Sequence, residues 1–159
     1  VALPATERIA LCGKSTLVDY RLATSLDAAV LARLNKDLIV DEGHHNPMSV
    51  AELESRMSAW LTHEYTAVLF LSDTVPVGYA LFRREPDHVY LRQFFVSRAS
   101  RRTGVGRAAV TWLRQNVWST SCRIRLDVLV GNATAIAFWR SVGFSEYCLT
   151  MEHAAEFAG

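Results

Sequence analysis

Two glycine-bearing stretches could hold a phosphate, and they point to different chemistry. Residues 9–18 read IALCGKSTLV, with Gly-Lys-Ser-Thr inside; residues 101–110 read RRTGVGRAAV. A phosphate loop of the form G-x-x-x-x-G-K-[ST] needs its first glycine so that the backbone can wrap the phosphates. With Gly13 and Lys14 as the Gly-Lys pair, that first position is Arg8. The segment that follows sets Leu17, Asp19 and Arg21 against Val18, Tyr20 and Leu22, a strand-like alternation where the motif demands a helix. The nucleotide triphosphatase reading is therefore set aside. Residues 1–15 are expected to form a flexible extension ahead of the first strand.

The second stretch meets what a diphosphate needs. It follows an apolar strand pattern, LRQFFV, and opens a helical one. Gly104 and Gly106 keep side chains out of the way of a ligand. The amides from Thr103 to Arg107 would be the unpaired donors of a helix start, where the dipole favours an anion. Arg98, Arg101, Arg102 and Arg107 add positive charge. The plain alternative is a glycine turn with a solvated arginine cluster.

The elements that must position this loop follow from periodicity. Thr24 and Asp27 resemble a capping box, and Leu26, Val30, Leu34 and Leu38 recur at helical spacing. Gly43 and Pro47 break that helix. Ser49 and Glu52 form a second capping box, ahead of a helix whose face carries Leu53, Met57, Trp60 and Leu61. YTAVLFLS, VPVGYALFRRE and HVYLRQFFV read as three successive strands with tight antiparallel turns. GVGRAAVTWLRQNV is a helix with Val105, Ala109, Trp112 and Leu113 on one face; RIRLDVLV alternates as a strand. NATAIAFWRSV is a further helix stopped by Gly143, and FSEYCLTMEH reads as the last strand. No repeat, linker or low-complexity segment interrupts residues 1–159, so a single α/β domain is expected.

Composition agrees. Half of the 159 residues are hydrophobic and the net charge is +1, an ordinary globular balance that gives no reason to expect nucleic acid or membrane as a partner. Cys12, Cys122 and Cys148 are odd in number and not spaced as metal ligands. No basic-then-apolar leader opens the chain and no apolar run is long enough to span a bilayer, so a cytoplasmic protein is expected.

The run R-R-T-G-V-G-R matches [RQ]-x-x-G-x-[GA] and resembles the acetyl-coenzyme A loop of the GNAT superfamily of N-acetyltransferases. YLRQFFVS before it looks like that family's fourth strand. NATAIAFWRSVGF looks like its N-x-x-A-[IV] signature, with Asn132, Ala135, Ile136, Gly143 and Phe144 in place. The resemblance covers roughly residues 16–150. It implies a mixed, mostly antiparallel central sheet flanked by helices, with the fourth and fifth strands splayed apart around acetyl-coenzyme A. It further implies direct transfer of acetyl to the primary amine of a small-molecule or peptide acceptor, and a possible homodimer. By the same resemblance, Arg101, Arg102, Thr103, Gly104, Val105, Gly106 and Arg107 hold the pyrophosphate. Amides near Phe95 and Val96 polarise the thioester carbonyl, and Asn132 and Trp139 line the pantetheine and thiol end.

Two positions depart from the family pattern. Trp139 stands where a tyrosine often protonates the departing sulfur, and an indole N–H is no useful acid. Tyr90 stands about where a glutamate base is frequent. A coenzyme A-binding module without transfer activity is the alternative these departures leave. In the family, the loop carrying Asp41, Glu42, His44 and His45 borders the acceptor. Glu42 could anchor a cationic amine and His44 accept a proton; a polar, exposed loop is the competing reading. Adjacent histidines chelate one ion poorly, so no metal site is expected.

Overall fold

The structure is a computed structural model that describes residues 8–9, 18–43 and 46–153. It comprises two compact units, Val1–Asp127 and Val128–Gly159. Lys14 and Ser15 of the first glycine stretch lie outside the described residues, as do His44 and His45. Just beyond that stretch the chain runs as a strand, Val18–Leu22, not as the helix a phosphate loop opens.

The larger unit is one six-stranded sheet in sequence order: β1 (Arg8–Ile9), β2 (Val18–Leu22), β3 (Thr66–Ser72), β4 (Val75–Arg84), β5 (Val89–Val96) and β6 (Ile124–Arg125). Every neighbouring pair is antiparallel except β5 and β6. Between β2 and β3 run α1 (Ala28–Glu42) and α2 (Val50–His63). Between β5 and β6 runs α3 (Val105–Leu113), continued by a π-turn over Arg114–Trp118. Alternation along the strands divides the core. Ala67, Leu69, Tyr79, Leu81 and Phe95 pack with Leu31, Leu34, Leu38 and Met57 of α1 and α2. On the other face Tyr20 stacks on Trp112 of α3 at 4.7 Å and meets Phe70 edge-on, while Phe82 meets Trp118.

Local signals set the helix ends. Asp27 accepts the Thr24 backbone N–H at 2.8 Å, and Glu52 accepts that of Ser49 at 2.7 Å. Gly43 closes α1 with φ 66°, in the left-handed region where a missing Cβ costs nothing. Leu26 departs from the expected apolar face. A short 3-10 turn over Ser25–Asp27 precedes α1, which throws Leu26 out of helical phase and into solvent.

Two expected strands are corrected. RIRLDVLV pairs only at Ile124 and Arg125, opposite Val89 and Tyr90. The register of β4 on β5 jumps from Leu81–Gln93 to Phe82–Leu91, which leaves Arg92 as the extra residue of a bulge. A bulge bends and twists its strand, so the parallel ladder ends at Tyr90 and the two strands part. FSEYCLTMEH carries no regular structure in the smaller unit, and its alternating Tyr147, Leu149 and Met151 are exposed. Period-two alternation makes a strand only where a partner edge is available. That unit contains α4 (Ala133–Ser141), capped by the Asn132 side chain. Among the described residues, no helix is long and apolar enough to cross a membrane.

Candidate active site

The parting of β5 from β6 creates the site's first feature. Ser97 N–H donates to Val77 across the β4 side at 2.8 Å. Amide directions alternate along a strand, so Val96 turns its N–H and C=O to the opposite edge, while Phe95 turns its own toward β4. Among the described residues no strand covers that edge beyond Tyr90. Of the two amides expected to polarise a carbonyl, Val96 is the one presented to the open edge.

The glycine loop supplies the second feature. Gly104 caps α3 with φ 90°, a conformation that a Cβ opposes. Arg102 also lies in the left-handed region, at φ 60°. Thr103 Oγ1 donates to the Ser100 carbonyl at 2.7 Å, so its hydroxyl shapes the loop. The helix's first internal bond over the loop runs from Ala108 N–H to Gly104 C=O at 3.0 Å. The amides of Val105, Gly106 and Arg107 lie before it and face out of the helix start. They are a ready anion site.

Arg101 ties the two features together. Its Nε donates to the Val96 carbonyl at 2.8 Å, and its guanidinium sits 5.5 Å from the Phe95 ring centroid. It also pairs with Asp41 near the end of α1, as does Arg98. Burial pushes the Asp41 carboxyl up, but hydrogen bonds from Arg101 and Arg98 outweigh it and hold the group below the usual carboxylate range. A cleft of about 340 Å³ lies here, lined by Asp37, Val40, Asp41, Phe95, Ser97 and Arg98. Glu42 is exposed at the last position of α1, next to this wall. Among the described residues, no group of His, Cys, Asp and Glu side chains could hold a metal ion.

Asn132 and Trp139 belong to the smaller unit. Asn132 Oδ1 accepts the Ala135 N–H at 3.0 Å and so caps α4. The Trp139 ring meets Phe138 and Phe144 edge-on, each at 5.0 Å.

The acetyltransferase (GNAT) family model matches residues 32–144. The chain belongs to the GNAT acetyltransferase family. No curated protein sequence matches it significantly. Solved GNAT-like structures do. A possible acetyltransferase from Clostridium difficile 630 is 17% identical over 88% of this chain and 98% of its own, with a TM-score of 0.70. An aminoglycoside acetyltransferase from an uncultured soil metagenomic sample, solved with sisomicin, is 13% identical over 87% and 97%, at 0.70. A predicted acetyltransferase from Clostridium acetobutylicum, solved with acetyl-CoA, is 16% identical over 86% and 96%, at 0.67. At these identities the likeness is one of fold.

Several pairings around this cleft are not legible in the sequence. Asp41 meets arginines 57 and 60 positions away. Tyr90 donates to Asp127 at 2.8 Å, just past the end of the parallel ladder. Burial, and then that carboxylate, push the Tyr90 hydroxyl above its ordinary range. Tyr79, fully buried, donates to Gln93 at 2.9 Å. Arg92 leaves a trace in the sequence: Arg92 and Gln93 break the apolar alternation of β5, which is how a bulge shows itself.

Proposed function

We propose that this chain transfers acetyl from acetyl-coenzyme A directly to the amine nitrogen of a small-molecule or peptide acceptor. The observation that carries the reading is the unpaired end of β5. Val96 turns its amide into that opening, directly ahead of the glycine-capped start of α3. The solved relatives with acetyl-CoA or an aminoglycoside bound support the same class of reaction.

The residues fit the co-substrate. The amides of Val105 to Arg107 receive the diphosphate, and Gly104 and Gly106 let it approach the backbone. Arg101, Arg102 and Arg107 supply positive charge beside it. The thioester oxygen accepts from the Val96 N–H, a donor fixed in place by the sheet. The neutral amine then forms a C–N bond at the carbonyl carbon, and the developing oxyanion is held by that amide. Reformation of the carbonyl breaks the C–S bond; the thiolate leaves with the electron pair, and the proton lost by the nitrogen passes to solvent, from which the thiolate is reprotonated. A thiol with a pKa of about 8.5 leaves without strong acid assistance. That offsets the absence of a tyrosine at position 139. Glu42, at the end of α1, is the described residue we assign to drawing the cationic acceptor toward the cleft.

The test is thiol release from acetyl-coenzyme A over a panel of amines, set against an acceptor-free blank. Release confined to the blank rate, alongside normal coenzyme A binding, would leave a coenzyme A-binding module in place of an enzyme.

A further inference from the structure

The α1–α2 face of the sheet carries two positive charges on one indole. Arg56 Cζ lies 4.6 Å from the Trp60 ring centroid and Arg92 Cζ lies 4.7 Å from it. Arg92 also lies 5.8 Å from the Tyr65 ring. Burial and then the Arg92 charge push Arg56 below its ordinary range.

Glu64 and Glu85 pair with Arg83, and Asp127 accepts from Tyr90. Arg56 donates to Asn35 Oδ1 at 2.9 Å and faces Met48 Sδ, but its Nε is buried with no partner. Among the described residues neither Arg56 nor Arg92 meets a carboxylate. Arg98 and Arg101 on the loop side share Asp41. Arg56 is thus held inside the fold by Asn35 and Met48, while Arg92 is exposed against the same indole and offers its guanidinium to an anion.

Their place matters. Arg92 stands on the bulge of β5, four residues before Val96, or about 13 Å along the strand. It shares a face with Gln93 and Phe95, which leads toward the amide assigned to the reacting carbonyl.

We propose that Arg92, with the Arg56 charge behind it on the same indole, binds a carboxylate of the acceptor, so that the acceptor is an amine that also bears a carboxylate, of amino-acid or short-peptide size. This rests on the transfer reading above. A polycationic acceptor would gain nothing from Arg92 and be repelled by it.

The experiment compares each of the twenty L-amino acids with its carboxamide, with spermidine and sisomicin as cationic references, by thiol release. An acid-to-amide ratio in kcat/KM of about tenfold or more is expected, since a charge-assisted pair is worth that much. In Arg92→Gln that ratio should fall toward one through KM, and Arg92→Lys should restore part of it. A second readout needs no turnover: glutarate should raise the melting temperature of the coenzyme A complex in the native protein and not in Arg92→Gln. Transfer to spermidine or sisomicin with no preference for acids over amides overturns the proposal and leaves the transfer reading intact. Loss of all transfer with an Arg92-dependent glutarate effect does the reverse. No glutarate effect in a protein that folds and binds coenzyme A also overturns it.

Discussion

Asp41 Oδ1 accepts Arg98 Nε at 2.7 Å, bridging the end of α1 to the segment that leads into the glycine loop. The other carboxylate oxygen takes Arg101. A protein carboxylate thus occupies arginines next to the place assigned to the diphosphate. Asp41→Asn should free them, and the coenzyme A dissociation constant should fall by up to about fivefold, the most that an exposed ion pair of about 1 kcal/mol can withhold. Titration calorimetry at low salt measures this. A dissociation constant that rises instead would mean that Asp41 holds the arginines in their binding pose.

Coenzyme A, and not ATP, should stabilise the fold. At about 100 times its dissociation constant a ligand adds roughly 2.7 kcal/mol, which a melting scan resolves. Gly104→Val should weaken coenzyme A binding by about tenfold or more, because a β-branched residue both opposes φ 90° and blocks the amides. A folded Gly104→Val protein with native affinity would place the diphosphate elsewhere.

Turnover should rise with pH as the acceptor amine loses its proton, and then level off. Burial pushes the Tyr79 hydroxyl well above its ordinary range; burial and the Asp127 carboxylate do the same to Tyr90. Neither therefore titrates below about pH 10, the value of a free tyrosine. A pH–rate profile at saturating acceptor checks this. A falling limb centred below that point would reveal a general acid other than Tyr79 and Tyr90.

The Arg21–Asp27 pair sets an acid limit to stability. Arg21 hydrogen bonds at 2.7 and 2.9 Å, opposed by burial and assisted by Thr24, lower the Asp27 pKa to about 2. A lowered carboxylate pKa stabilises above the unfolded value and loses that contribution as pH falls through the folded one. Asp27→Asn should therefore cost about 1–2 kcal/mol at pH 7, after allowing for the half-exposed Arg21, and the difference should vanish between about pH 4 and pH 2. Urea melts at several pH values measure it; a cost that does not change with pH would assign the effect to packing.

Gly78 of β4 pairs with Val96 of β5. A Cβ built there would lie 2.3 Å from the Phe95 carbonyl oxygen and 2.8 Å from Phe70 Cδ2. The backbone oxygen cannot step aside without moving the strand that presents the Val96 amide. Gly78→Ala should cost about 1–3 kcal/mol and reduce kcat along with stability. Native kcat in a destabilised variant would separate the packing of this strand from the chemistry.

The sequence by itself determined what is decided within a few residues. The capping pairs Thr24–Asp27 and Ser49–Glu52 were legible because both partners lie within one turn, and so was the loop from Arg101 to Arg107, because its glycines and following helix are contiguous. Leu26 was misplaced for a local reason too: a 3-10 turn has a different phase from an α-helix, and the apolar pattern does not distinguish them. Only the tertiary structure decided the rest. RIRLDVLV and FSEYCLTMEH alternate as strands do, yet a strand exists only where a neighbouring edge accepts it, and the bend at Arg92 carries β5 away from β6 after two residue pairs. The meeting of Asp41 with Arg98 and Arg101, and of Arg56 with Arg92 over Trp60, joins residues tens of positions apart. Charge and ring contacts depend on distance in space, and the chain states only distance in sequence; folding of the sheet between them converts one into the other.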